Sequence, residues 1–164
     1  MGGLLLGLGV DAAAWAWVNR VAAVACLVSA AVHGALIDEH LREWWGYGAF
    51  FIVAALVQAV YALVLFALHG PQARAPAAYS PDDWSRLHRW IYSAGIVANL
   101  ATLGLYIVTR TTGIPFFGPQ AGVIEEVSPL DLVAKVAEVV AVLALAAMLE
   151  RVWALERARQ LPKL

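Results

Sequence analysis

"GYGAFFIVAALVQAVYALVLFAL", residues 46–68, decides the fold. It contains no charged residue, and Gln58 is its one strongly polar side chain. A helix needs roughly 20 largely apolar residues to cross a hydrocarbon layer of about 30 Å. In that layer every backbone N–H and C=O must be paired internally, which a single segment achieves only as a helix. The stretch therefore reads as a transmembrane helix.

Three more segments of the same kind flank it. They are about 15–37, "WAWVNRVAAVACLVSAAVHGALI", about 90–109, "WIYSAGIVANLATLGLYIVT", and about 129–150, "PLDLVAKVAEVVAVLALAAMLE". Asn19 and Arg20 interrupt the start of the first, so Arg20 is expected to snorkel to the interface. The whole chain agrees: 164 residues, 62% hydrophobic, 14% charged, with a mean hydropathy of +0.74. Soluble domains carry roughly a quarter charged residues. The expected fold is a single all-α transmembrane domain over 1–164, an integral membrane four-helix bundle.

The opening "MGGLLLGLGV" lacks a basic n-region and is followed by Asp11. It reads as a retained interfacial extension, with signal cleavage as the alternative. "SPDD" (80–83) and "SPLD" (128–131) each combine a Ser N-cap, a first-turn Pro and an acid. The third helix should thus start near Pro81. Orientation follows from Lys and Arg. Arg20, Arg74, Arg86, Arg89, Arg151, Arg157, Arg159 and Lys163 fall on one side, Arg42 and Arg110 on the other. Both termini and the 69–89 linker are therefore expected in the cytoplasm, and the 38–45 and 110–128 loops outside. His69 and His88 are expected at the inner interface.

The net charge of −1 gives no reason to expect a nucleic acid partner. The single cysteine, Cys26, rules out an intramolecular disulfide or a cysteine metal cluster and reads as a core residue. No phosphate-binding Gly loop, nucleophile elbow, HExxH or CxxC occurs. An enzyme is the less favoured class.

Buried ionisable groups cost about 2.5–3.5 kcal/mol each on insertion scales, so each needs a partner. Asp131, Lys135 and Glu138 share one helical face, and Asp131–Lys135 is the expected structural ion pair. Glu138 then needs another partner. His33, in "HGALIDEHLREWW" (33–45), lies at a comparable depth if the first and last spans are neighbours. His40 shares its face if the helix continues that far. Gln58, Tyr61, Asn99, Thr102 and Tyr106 should also face inward, producing a polar seam biased towards the outer half.

His33, His40 and Glu138, with Glu39 as a further donor, offer nitrogen and oxygen ligands suited to a divalent transition metal such as Zn, Cu or Fe. The leading expectation is a membrane-embedded binding protein with an outward-facing metal site, serving metal handling or a redox partner. Haem is less favoured because both candidate axial histidines lie on one segment. Two alternatives stand beside it. One is an accessory subunit of a larger membrane complex, or a homo-oligomer, with a structural seam. The other is a quinone- or lipid-binding enzyme, with His33 or Tyr106 as donors and Trp44 or Trp45 as walls. Proton transfer through His33 and Glu138 is a further option.

The loop "RTTGIPFFGPQAGVIEEVSP" (110–129) is long and apolar. Pro115, Phe116, Phe117 and Pro119 suggest a stiff aromatic segment, and Gly113, Gly118 and Gly122 allow sharp turns. It is expected to cap the seam, with Arg110 pairing to Glu39, Glu43, Glu125 or Glu126.

"VH…EHLREW" after the first span, together with "TRTTGIPFFGP" after the third, resembles a group of small four-span bacterial integral membrane proteins. The resemblance covers most of the chain. It implies the bacterial inner membrane and brings no catalytic or binding residue with it.

Overall fold

The computed structural model describes residues 3–68 and 76–160, with side chains from Ala13 onward. His69, Arg74 and Lys163 lie outside the described residues. The described residues form five helices: α1 (Gly3–Ala35), α2 (Ile37–Glu43), α3 (Trp45–Leu68), α4 (Pro81–Thr111) and α5 (Pro129–Gln160). No strand occurs among the described residues. Four helices are long and apolar enough to span a bilayer, α1 from Ala13 onward, α3, α4 and α5. This is the architecture of a multi-pass membrane protein.

α4 and α5 begin where side chains satisfy their first amides. Ser80 Oγ accepts from the Asp83 N–H at 3.1 Å, with Pro81 in the first turn. Ser128 and Asp131 cap reciprocally: Ser128 Oγ accepts from Asp131 N–H (3.1 Å) and Asp131 Oδ2 accepts from Ser128 N–H (3.0 Å). Both Ser caps thus stand where the two SP-acid stretches put them. The helices outrun the apolar segments at several ends. α4 starts at Pro81, ahead of the span, and α5 continues to Gln160.

Successive spans alternate in direction. The start of α1, the end of α3, the start of α4 and the end of α5 therefore share one end, the termini end. α2 and the 112–128 loop share the other, the loop end. α1 is the hub, packing along both α3 and α5, and α4 packs on α5. α3 and α4 share no comparable packed face.

At the termini end Tyr92, Leu65, Leu145, Met148 and Val152 fill the core around Ala22 and Ala23. Ala25, Cys26, Ala62 and Ala141 form the middle layer. Small side chains there let backbones approach closely, the usual source of cohesion where water supplies no hydrophobic drive. Cys26 is a fully buried member of that layer. Leu56, Val57, Val60 and Leu63 on α3, and Val136, Val139 and Leu143 on α5, project outward as a hydrocarbon-facing surface.

Two hydrogen bonds pin α3 in the termini half. Asn19 Nδ2 donates to the Leu65 carbonyl (2.7 Å). Tyr61 Oη donates to the Ile91 carbonyl (2.9 Å), passing over Gly95, where any Cβ would overlap the phenol. Tyr61 is thus the clasp that holds α3 to α4 at this level. Gly95→Leu should displace it and destabilise the bundle by about 1–3 kcal/mol, the usual cost of overpacking. Thermal denaturation in detergent reads this, with Tyr61→Phe as the milder comparison.

Helix α1 stops at Ala35, and a new helix begins at Ile37. The Leu36 N–H is shared between the Val32 and His33 carbonyls. The helix is therefore interrupted between His33 and His40, although both imidazoles meet the Phe51 ring. In the 112–128 loop, Gly113, Gly118 and Gly122 all take left-handed φ (68°, 81° and 78°). At Gly113 a side chain would also strike the backbone of Gly122.

Candidate functional site

Because α3 and α4 part company above Tyr61, a cavity of about 480 Å³ opens between them at the loop end. Such a volume suits a small organic ligand. Phe50, Phe51, Leu105, Ile114, Pro115 and Phe117 supply apolar walls. His33, His40, Thr102, Tyr106, Arg110 and Lys135 supply polar groups on the α1, α2, α4 and α5 sides.

Beneath the cavity lies a buried ion network. Glu138 is 0% exposed. Its two oxygens accept from Lys135 Nζ at 2.8 and 2.7 Å, and Ser29 Oγ donates to Oε1 at 3.1 Å. His33 Nε2 stands 3.6 Å from the same oxygen, and its Nδ1 is 2.9 Å from Gln58 Oε1. Gln58 Nε2 is buried without a partner among the described residues. The network ties α1, α3 and α5 together at one level. Ser29 was missed in the sequence, although it sits four residues before His33 on the same helical face.

The expected Asp131–Lys135 pair does not form. Asp131 is taken up by its own helix cap and by Arg110, whose Nη2 lies 2.7 Å away. Lys135 turns instead to the fully buried Glu138, where a counter-charge is needed most. Arg110 also bonds Glu125, chosen from the four acids considered, and its guanidinium lies 4.9 Å over the Tyr106 ring. Lys135 Nζ is 5.5 Å from that ring. Tyr106 therefore sits between two cations, each already matched by carboxylates.

The remaining candidates divide clearly. His40 Nδ1 donates to the Leu36 carbonyl at 2.9 Å, and its ring stacks on Phe51 at 3.9 Å. A neutral imidazole fixed in this way presents Nε2 as an acceptor. Glu39 is exposed on α2 and lines no part of the cavity. Among the described residues no three His, Cys, Asp or Glu side chains converge as a metal-holding group. The chemistry of the donors explains why. Both Glu138 oxygens are committed to an ammonium, and His40 is held on a different element from His33.

The loop forms a roof. Phe117 packs edge-on against Trp44 at 4.9 Å, and its carbonyl accepts from Tyr47 Oη at 3.0 Å. Trp44 braces this roof rather than lining the cavity. Trp45 points outward, 70% exposed, and Phe116 is 86% exposed although it borders the opening. The Glu125 N–H donates to the Thr109 carbonyl, so backbone and Arg110 anchor the same residue. At the far end, His88, expected at an interface, is fully buried, with Nδ1 donating to the Trp84 carbonyl at 2.8 Å.

Set against protein-family models, curated proteins and solved structures, the chain matches none.

Proposed function

We propose that the protein binds a lipid-soluble molecule with a planar head bearing hydroxyl or carbonyl oxygens, of the quinol or quinone class. One observation carries this. The cavity is walled by aromatic side chains, yet its polar end holds two uncommitted hydrogen-bonding atoms. Tyr106 Oη has no protein partner among the described residues, and His40 Nε2 is left as an acceptor. A head hydroxyl donates to His40, and a head oxygen accepts from Tyr106. Phe51, already stacked on His40, extends a flat wall for the ring. The gap between α3 and α4 gives the tail a lateral path from the bilayer. The cations nearby are neutralised by Glu125, Asp131 and Glu138, which favours an uncharged head over an anion.

The Lys and Arg bias supports a loop end facing outward and both termini in the cytoplasm. The resemblance to four-span bacterial proteins supports the inner membrane.

Titration of the detergent-purified protein with a short-chain quinol, kept reduced so that its hydroxyls can donate, and read by tryptophan fluorescence and native mass spectrometry, tests the proposal. Saturable one-to-one binding is expected, weakened about tenfold by Tyr106→Phe and by His40→Ala, since a lost hydrogen bond to a buried polar group costs about 1–3 kcal/mol. No saturable binding would sink it. Stoichiometric metal lost in His33→Ala would favour a metal site instead, and a large co-purifying complex with an empty cavity would favour the accessory subunit.

A further inference from the structure

On the opposite face of α1 lies a second groove, of about 550 Å³, between α1 and α5. Val24 and Val28 form one bank, Val136 and Val140 the other, and Ala25 and Ala137 the floor. No polar atom breaks this surface until its termini end. There Arg20, exposed, lies with its guanidinium 5.3 Å from the centre of the Trp17 ring. Among the described residues Arg20 meets no carboxylate. Arg110 and Lys135, in the loop half, each have one.

The groove follows α1 from Trp17 to Val28, about 16 Å at 1.5 Å per residue. That is about half of a hydrocarbon layer of roughly 30 Å, and the α5 bank, from Val140 to Leu132, carries the groove on towards the loop end. A cation at interface level with a long hydrocarbon track starting beside it matches the head and acyl chain of one kind of molecule. We infer that this groove is a binding site for an anionic phospholipid, its phosphate at Arg20 beside Trp17 and one acyl chain along the valines.

A second copy fits less well. Two chains inserted in the same direction and paired about a two-fold axis on this face would set their Arg20 side chains at one depth, with like charges opposed. A neutral helix would cover Arg20 without supplying an anion.

Native mass spectrometry of the delipidated full chain, titrated with phosphatidylglycerol and with phosphatidylcholine of identical chains, is the test. One phosphatidylglycerol is expected to bind about fivefold tighter than phosphatidylcholine, in keeping with the value of one basic residue near an anionic headgroup. Arg20→Gln should remove this preference and leave phosphatidylcholine binding unchanged. Val136→Trp, which fills the groove, should weaken both lipids. Equal binding of the two lipids, a preference that survives Arg20→Gln, or a dimer that excludes lipid from the groove would overturn the inference.

Discussion

Glu138→Ala should destabilise the bundle by about 3–5 kcal/mol, the usual cost of removing one partner from a buried ion pair. The loss arises from what remains. Lys135 would keep a charge at 14% side-chain exposure with its two closest acceptors gone. Ser29 and His33 would lose their shared oxygen as well. The compensating variant separates this cause from simple loss of packing. Lys135→Met in the Glu138→Ala background should restore most of the stability, because it removes the stranded ammonium. Thermal or SDS-induced unfolding of the three proteins measures the effect. A loss below about 1 kcal/mol in Glu138→Ala would mean that Lys135 finds another partner, with Asp131 the nearest along α5.

Arg110→Met should free the roof of the cavity. The guanidinium bonds Glu125 in the loop and Asp131 at the start of α5, and it stands over Tyr106. Its removal leaves Asp131 with the Ser128 cap alone. We expect a stability loss of about 2–4 kcal/mol, somewhat below a fully buried pair because Glu125 is 39% exposed. The larger effect is local. The Glu125 amide, bonded to the Thr109 carbonyl, should exchange its hydrogen at least about tenfold faster, and with it the 112–128 segment. Quinol affinity should fall in the same variant while Tyr61 still holds α3 to α4. Unchanged exchange at Glu125 would show that Tyr47 and the backbone alone retain the loop.

The four spans and the Ser caps of α4 and α5 were legible in the sequence, for reasons local to each segment, whereas α2, expected as part of a 38–45 loop, was not. Residues 46–68 carry no charge, so no other structure satisfies their backbone in lipid, and α3 spans Trp45–Leu68. Ser80 and Ser128 cap their helices through contacts three residues apart, which sequence spacing already contains. The left-handed turns at Gly113, Gly118 and Gly122 likewise belong to single residues. The inward placement of Gln58 and Asn99 follows from the cost of a polar group facing hydrocarbon.

The partners of the charged groups were decided only by the tertiary structure. Spacing along α5 permits both Asp131–Lys135 and Lys135–Glu138. Arg110 arriving from α4 occupies Asp131 and leaves Lys135 to Glu138. Leu36 divides the helix between His33 and His40, yet both rings meet Phe51 and face one cavity, while Glu138 is taken by Lys135. The cavity itself has no sequence counterpart. It exists because Tyr61 over Gly95 closes α3 on α4 at one level and nothing closes them above it. Helices are fixed by the free energy of each segment against its solvent, while sites depend on which segments become neighbours.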